Sequence, residues 1–386
     1  MRLDLSRKIT VAACAALIAL PAAGQFPGLT LPPGGDNQKS VVTQYMGFAS
    51  VTITYNSPDV TGPQGQDRRG AIWGQLVPWG SANLGFGNSL PTPWRAGANE
   101  NTTVELSHDA LVQGQPLAAG LYGLHIEPRE DGPWTVIFSK KNRAWGSFFY
   151  DPADDALRVE ATPEEAPFRE WLSFDFVDRQ LGQATAVLHW EELRLPIIFS
   201  VPKMVDRYVD ILKEELTGSP GFSWQNWNAA AQFLINRDTA GTYSDLALQW
   251  ADAAIGAPFV GQENFTTLST KAQALQKLAR GSEAWDVTLQ AIAHATASAV
   301  QVHGLGRQLI ATGEKNRALE VFEKNFGRFE GAWPTHVGMA RGLSNLGRYA
   351  EAKEHAEKAL AQAPDDLNRG SLETMIEQLS RGEDVN

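Results

Sequence analysis

The stretch GRYAEAKEHAEKALAQAPDD, which begins at Gly347, decides the architecture of the second half of this chain. Its alanines Ala352, Ala356 and Ala359 recur at helical spacing, and Pro364 follows the run. Two helices of a hairpin approach closely only where their facing side chains are small. The stretch therefore predicts a helix that packs tightly against a partner helix within one structural unit.

Similar alanine-rich stretches precede this one at regular intervals. Ala318 lies 34 residues before Ala352, Ala284 lies 34 residues before Ala318, and Ala247 lies 37 residues before Ala284. A period of about 34 residues with small residues at these sites resembles the tetratricopeptide repeat. The resemblance predicts a solenoid of helical hairpins over residues 224–382, with a non-repetitive helical bundle as the alternative.

The region from residue 40 to residue 201 has the pattern of β-strands. Val51, Ile53 and Tyr55 alternate with polar residues, and similar short runs continue to Val201, separated by Gly, Pro, Asp and Asn. A period of two places alternate side chains on one face of a sheet. The pattern predicts an antiparallel β-sandwich, jelly-roll-like in arrangement, with a barrel as the alternative.

The period of the apolar residues becomes helical after Pro202. Residues 202–223 are predicted to form a connecting helix and loop, because their apolar residues fall on one stripe of a helix. The members of this stripe are Met204, Val205, Tyr208, Ile211 and Leu212.

Residues 1–24 have the three parts of an export signal. Positive residues precede an apolar run of 12 residues from Ile9 to Leu20, and small residues follow as far as Gly24. The run is too short to cross a bilayer, which takes about 20 residues. We expect cleavage near Gly24 and a periplasmic or secreted protein. Residues 25–39, rich in Pro and Gly, are predicted to be a linker.

Cys14 permits a second interpretation of the export signal. The run VAAC that ends at Cys14 resembles a lipobox, in which the cysteine is acylated and becomes the first residue. Cys14 is also the only cysteine of the chain. Residues 25–386 therefore exclude disulfides, cysteine metal sites and thiol catalysis.

The charge of the chain restricts its partners. The formal net charge is −11 at pH 7, and residues 1–24 contribute +2 of it through three basic residues and Asp4. The remainder thus carries −13. Nucleic acids and anionic lipids bind surfaces rich in Lys and Arg, so neither is an expected partner. No later apolar run is long enough to span a membrane.

Known catalytic motifs are missing from the sequence. HExxH, GxSxG, Walker-type and dinucleotide-binding glycine patterns do not occur, and the seven histidines are scattered. We therefore predict neither a metal site nor a cofactor.

One loop concentrates residues suited to a polar ligand. WRAGANENTT contains Trp94, Arg95, Asn99 and Glu100, and Trp79 lies shortly upstream. Indole faces combined with a guanidinium and amide or carboxylate groups recognise sugar rings and other polar molecules. These five residues are the predicted ligand-binding residues. The alternative is that Arg95 and Glu100 pair with each other and only pin the loop.

Six segments together resemble the bacterial domain-of-unknown-function family 2911. They are VTITYNSPDV (51–60), IWGQLVPWG (72–80), WRAGANENTT (94–103), LAAGLYGLHIEP (117–128), WTVIFSK (134–140) and WGSFFYDP (145–152). The resemblance implies a β-rich extracytoplasmic domain over residues 40–201, with no established activity. The segment Ser81 to Pro93 is longer than the family pattern and is expected to cover or block a pocket. The aromatic WGSFFYDP segment is predicted to be core and turn.

Two classes of function fit these observations. The first is an exported, non-catalytic protein that binds a small polar or carbohydrate ligand through the β domain and a protein partner through the repeats. The second is a periplasmic hydrolase that acts on glycans or peptides through Glu100 and Arg95. The missing nucleophile–base and metal patterns favour the first class. The glutamates of the last repeats predict a mixed or acidic groove; they are Glu320, Glu323, Glu351, Glu354 and Glu357.

Overall fold

The computed structural model describes residues 37–386. The predicted export signal, the Cys14 alternative and most of the predicted linker lie outside the described residues. The described chain divides into two compact units at Pro202. We call residues 37–202 the β unit and residues 203–386 the helical unit.

Twelve strands are present in the β unit as described, and every pairing between them is antiparallel. They are β1 (Gln38–Met46), β2 (Ala49–Ser57), β3 (Ala82–Asn83), β4 (Pro91–Thr92), β5 (Thr102–Leu106), β6 (Ala110–Val112), β7 (Gln115–Leu117), β8 (Gly120–Glu127), β9 (Trp134–Ser139), β10 (Asp155–Ala161), β11 (Glu164–Gln180) and β12 (Gln183–Ser200). One sheet has the order β1-β2-β5-β8-β9-β10, a second has the order β11-β12-β6-β7, and β3 pairs with β4.

The strands of the β unit bury alternate apolar side chains in its core. Val51, Ile53 and Tyr55 of β2 are buried, which confirms the predicted alternation. The Tyr55 ring contacts the Phe174 ring of the second sheet with centroids 5.0 Å apart. β1 begins at Gln38, two residues inside the segment predicted to be a linker.

Ten helices make up the helical unit in the described chain. They are α1 (Met204–Glu215), α2 (Trp224–Arg237), α3 (Ser244–Gly256), α4 (Phe265–Lys277), α5 (Gly281–Ala293), α6 (Ala299–Ala311), α7 (Lys315–Arg328), α8 (Trp333–Asn345), α9 (Tyr349–Leu360) and α10 (Asp366–Ser380). From α2 to α9 consecutive helices pack in pairs as hairpins, as the repeat pattern predicts.

The repeated alanines lie where the hairpin helices approach. Ala247, Ala284, Ala318 and Ala352 are all buried, with at most 1 % of their surface exposed. Their methyl groups leave room for the partner helix. The small-residue pattern was thus a correct prediction of close packing.

Phe322 of α7 shows how one repeat departs from this rule. It stands 34 residues before the buried Ala356, yet its ring is completely buried. Three glycines make the space: a β-carbon on Gly338 or Gly342 of α8 would lie 2.6 or 2.8 Å from ring carbons, and one on Gly306 of α6 would lie 2.6 Å from Cζ. The large side chain of Phe322 therefore fits because glycines on two neighbouring helices leave space for it.

Helix α1 differs at one residue from the predicted apolar stripe. Ile211, assigned to the apolar stripe, is 39 % exposed, whereas Val209 is buried. Val205 and Leu212 of the predicted stripe do pack against the helical core, together with Val209 and Leu216. No helix within residues 37–386 is long and apolar enough to cross a membrane.

Candidate functional site

A cluster of tryptophans lies beside a cavity of the β unit. The Trp73 ring contacts Trp94 at 5.6 Å and Trp190 at 5.8 Å between centroids, and Trp94 stacks on Trp190 at an angle of 18°. Trp94 is held in place by two main-chain hydrogen bonds with Ile126 of β8, both 2.8 Å long. Such aromatic contacts and ladder bonds fix the start of the loop that follows Trp94.

The cavity has a volume of about 1150 Å³. Of the predicted ligand-binding residues, Trp94, Arg95 and Asn99 line it. The hairpin of β3 and β4, within the segment Ser81 to Pro93, contributes part of the wall. That segment was expected to cover or block a pocket, and it lines one side instead.

Arg95 lies in the wall of this cavity without a carboxylate partner among residues 37–386. Its Nη1 donates a 2.6 Å hydrogen bond to the main-chain oxygen of Asn99. Its Cζ lies 5.0 Å from the centre of the Phe148 ring. Burial lowers the pKa of the Arg95 guanidinium, but Arg remains charged at neutral pH. Most of its N–H groups are left to bind an anion.

Two residues of the loop after Arg95 have a strained, left-handed backbone. Ala96 and Asn99 adopt φ of +53° and +55°, and Asn is among the side chains that tolerate this left-handed region best. The Asn99 side chain accepts a 3.4 Å hydrogen bond from Nδ2 of Asn37. This turn brings the Asn99 carbonyl back to the Arg95 guanidinium.

Glu100 and Trp79 do not line the cavity. Glu100 Oε2 accepts a 2.7 Å hydrogen bond from Nδ2 of Asn56, a residue that is 1 % exposed. The alternative, a pairing of Arg95 with Glu100, does not form. Trp79 packs against Trp134 with centroids 6.4 Å apart and against Gly74. Of the five predicted residues, three therefore line the cavity and two do not.

Arg68, a second cation at the cavity, is neutralised by its surroundings. Its Nη2 lies 3.4 Å from Oδ1 of Asp59, and its Nε donates to the carbonyl of Val60. Arg95 differs because its hydrogen-bond partner is a neutral carbonyl. An incoming anion would therefore meet no competing carboxylate at Arg95.

A hydrogen-bonded pair, Ser147 and His125, was not among the predicted site residues. Ser147, in the segment predicted to be core and turn, lines the cavity, and its Oγ lies 2.9 Å from Nδ1 of His125. Burial, and to a smaller extent the positive charge of Arg95, lowers the pKa of His125 to about 4. The imidazole is thus neutral at pH 7. The chain separation of 22 residues matches no local motif, so the sequence offered no sign of this pair.

The same segment is less buried than predicted. Trp145 and Phe149 are 55 % and 43 % exposed, so they do not belong to the core. Ser147 and Tyr150 are buried, and the Tyr150 main-chain N–H donates to the Ser147 carbonyl over 3.0 Å. The segment is a turn in which Gly146, Ser147 and Tyr150 are buried, so the turn part of the prediction holds better than the core part.

The helical unit contains a smaller cavity of about 250 Å³ between α6, α8 and α10. Arg307, Trp333 and Arg341 are among the residues that line it, together with His303. Nδ1 of His303 and Nε of Arg341 are buried without a hydrogen-bond partner in residues 37–386. The burial of Arg341, and its proximity to Arg307, lower its pKa.

The glutamates predicted to make the repeat groove mixed or acidic do not line this cavity. Glu320 and Glu323 belong to α7 and Glu351, Glu354 and Glu357 to α9, whereas α6, α8 and α10 form the walls of the cavity. The mixed or acidic character of the groove therefore stays a prediction. In residues 37–386 there is also no group of three metal-ligating side chains.

Comparison with known proteins agrees with this division of the chain. Residues 37–199 match the family model described as "Protein of unknown function (DUF2911)", which confirms the resemblance found in the sequence. No curated protein matches the chain.

Similar solved structures are tetratricopeptide-repeat proteins. MamA is 19 % identical, with 39 % of this chain and 84 % of that chain covered and a TM-score of 0.27. YrrB, described as a TPR protein with an unusual peptide-binding site, is 16 % identical, with 44 % and 83 % covered and a TM-score of 0.29. A thermophilic TPR protein of Thermus thermophilus is 17 % identical, with 45 % and 90 % covered and a TM-score of 0.30.

Proposed function

We propose that the protein is exported and that its β unit binds a small polar ligand bearing a carboxylate. The observation that carries the proposal is the guanidinium of Arg95, which lies partly buried in the cavity wall without an acidic partner in residues 37–386. A carboxylate would form charge-assisted, bidentate hydrogen bonds with it. The export signal of residues 1–24 supports a location in the periplasm or outside the cell.

The cavity also offers an aromatic face. Trp171 lines the cavity and is 43 % exposed, so its indole is free to stack on a flat or ring-shaped ligand. Trp94 and Trp190 are already stacked on each other and form the floor. A ring with one carboxylate, such as a uronic acid, satisfies both Trp171 and Arg95. We further infer that the two larger sheets form a β-sandwich whose end carries this cavity.

Glu100 has no part in this proposal. Its carboxylate is bound to Asn56 and does not line the cavity, so it is not placed to act on a ligand at Arg95. A glycan or peptide hydrolase that uses Glu100 with Arg95 is therefore not supported.

Titration calorimetry tests the carboxylate site. A panel of small carboxylates and their neutral counterparts, headed by galacturonate and galactose, is titrated into the wild type, Arg95→Gln and Arg129→Gln. Arg129 is a matched control because it is an arginine of the β unit that does not line the cavity. We expect Arg95→Gln to weaken carboxylate binding about 10–100-fold, the worth of a hydrogen bond to a charged group. The proposal fails if no carboxylate binds better than its neutral counterpart, or if Arg95→Gln binds as the wild type does.

We propose a protein partner for the helical unit as well. The supporting observation is the cavity lined by Arg307, Arg341 and Trp333, whose two cations and buried unpaired polar atoms suit an acidic peptide. Selection from a displayed random peptide library should enrich sequences with Asp and Glu. Arg307→Glu should abolish that enrichment, and Lys324→Glu on α7, outside the cavity, should preserve it. Selection of neutral or basic peptides would contradict the assignment.

A further inference from the structure

Ser147, which lines the cavity, is hydrogen-bonded to the buried His125. Ser147 Oγ and His125 Nδ1 are 2.9 Å apart, within the range for direct proton transfer. Within residues 37–386, His125 is the hydrogen-bond partner of this hydroxyl, and a hydroxyl that donates to Nδ1 keeps both lone pairs of Oγ. Ser147 lines the cavity, with 1 % of its surface exposed.

The surroundings hold this pair in place. His125 lies on β8, between the two strands β5 and β9, and its ring contacts the Tyr150 ring edge-on with centroids 5.3 Å apart. The imidazole is almost completely buried and is neutral at pH 7. Preorganised pairs of this kind characterise serine nucleophiles on unrelated folds.

Arg95 brings a positive charge to the same point. A β-carbon on Gly146 would lie 2.7 Å from Nε of Arg95, and the guanidinium also lies over the Phe148 ring. The cation thus contacts the residues on both sides of Ser147. It is placed where negative charge would develop on a substrate attacked by Ser147.

We propose that Ser147 is the nucleophile of a carboxylic-ester hydrolase, with His125 as its general base and Arg95 as the group that stabilises the acyl oxygen. The inference rests on the proposed function in one respect: the carboxylate that Arg95 binds is the acid product of the reaction. The substrate class is a small ester whose acyl group enters the cavity beside Trp171.

The reaction proceeds in two balanced steps. Ser147 Oγ attacks the acyl carbon and its proton passes to Nδ1 of His125; the bond from the acyl carbon to the alcohol oxygen then breaks, and the alcohol leaves with that proton. A water molecule next attacks the Ser147 ester while His125 accepts its proton. The bond to Oγ breaks, Oγ regains the proton, and the carboxylic acid is released. No oxidant or further reactant is required.

The β unit contains a matched control pair on its surface. Ser107 Oγ also lies 2.9 Å from a histidine nitrogen, Nδ1 of His108, but both residues are exposed and neither lines the cavity. Ser107 Oγ additionally accepts a hydrogen bond from the main-chain N–H of Ser50. If proximity to a histidine were sufficient for reactivity, Ser107 and Ser147 would react alike.

Labelling with a fluorophosphonate probe tests the nucleophile. The full-length protein is treated with the probe, digested and analysed by mass spectrometry. We expect one adduct, on Ser147, that disappears in Ser147→Ala, persists in Ser107→Ala and forms about 10²–10⁴-fold more slowly in His125→Gln, the range for loss of a general base. Because the wild type alone reports the modified serine, the result does not depend on whether a variant folds.

Hydrolysis of p-nitrophenyl butyrate tests the role of Arg95. We expect Arg95→Gln to lower kcat about 10²–10³-fold with a smaller effect on KM, as for the loss of an oxyanion donor, whereas Arg129→Gln retains the wild-type rate. An unlabelled Ser147, or equal labelling of Ser107, would overturn the inference. Carboxylate binding without labelling of Ser147 would leave the proposed binding function standing and this inference refuted.

Discussion

The guanidinium of Arg95 packs directly on the main chain of Gly146. A β-carbon at this glycine would lie 2.7 Å from Nε of Arg95, and its φ is +65°, in the left-handed region. Gly146→Ala therefore introduces backbone strain of about 1–2 kcal/mol and also displaces the guanidinium. We expect a lower free energy of unfolding, measured in urea, together with weaker carboxylate binding.

Gly114→Ala is the matched control for this substitution. Gly114 has a φ of +79°, but no atom lies within 4 Å of the position of its β-carbon. It should show the cost of backbone strain alone and leave carboxylate binding unchanged. Equal effects of the two substitutions on stability and binding would show that contact between Gly146 and Arg95 is unimportant.

His125 makes the stability of the β unit depend on pH. Burial, followed by the charge of Arg95, holds its folded-state pKa at about 4, below the unfolded value of 6.5. As the pH falls from 6.5 to 4, the unfolded chain binds a proton that the folded chain does not, so the free energy of unfolding decreases, and it levels off below pH 4. At pH 5 this loss amounts to roughly 2 kcal/mol.

His125→Gln should remove this part of the pH dependence. Urea unfolding at pH 7 and pH 5 is compared between the wild type and the variant, so that contributions from the other histidines cancel. His108→Gln, which replaces an exposed histidine, should behave as the wild type. A His125→Gln variant that loses as much stability between pH 7 and pH 5 as the wild type would refute the assignment.

The repeat architecture could be predicted from the sequence because it depends on local spacing. Buried alanines such as Ala318 and Ala352 mark each hairpin independently of the rest of the chain. Phe322 could not be understood in this way. Its burial depends on Gly306 of the hairpin partner α6 and on Gly338 and Gly342 of α8, and the last two contact it only after the hairpins stack.

The part of the site that lies close together in the sequence could be predicted, and the part that the fold brings together could not. Arg95 and Asn99 lie in one loop, and their composition alone suggested a ligand. The pair of Ser147 and His125 arises from the antiparallel sheet, which brings β8 beside the turn after β9. Glu100 was misjudged because sequence proximity to Arg95 does not specify on which side of the loop its side chain lies.

Helix α6 supplies a test of the packing around Phe322. Gly306→Ala places a methyl group 2.6 Å from Cζ of the Phe322 ring, which should destabilise the helical unit by about 1–3 kcal/mol. Gly304, on the same helix, is exposed and has no atom within 4 Å of its β-carbon position. Gly304→Ala should therefore stabilise the unit by about 0.5–1 kcal/mol through helix propensity. Thermal unfolding monitored by circular dichroism measures both, and effects of the same sign would contradict the packing described.

Substitution of Glu100 should lower the stability of the protein, whereas substitution of Arg95 should weaken carboxylate binding. Glu100→Ala leaves the buried Nδ2 of Asn56 without its acceptor, which should lower the free energy of unfolding by about 1–3 kcal/mol. Carboxylate binding should be unchanged, because Glu100 does not line the cavity. Arg95→Gln should have the opposite profile, with binding lost and stability changed less.

Glu100→Gln is the control that identifies the cause. Its amide oxygen can still accept from Asn56, so we expect most of the stability lost in Glu100→Ala to return. Urea unfolding and calorimetry on the three variants give both quantities for each protein. If Glu100→Gln bound carboxylates more weakly than the wild type while it remained stably folded, the charge of Glu100 would belong to the site. The assignment of Glu100 as only a structural hydrogen-bond partner of Asn56 would then be incorrect.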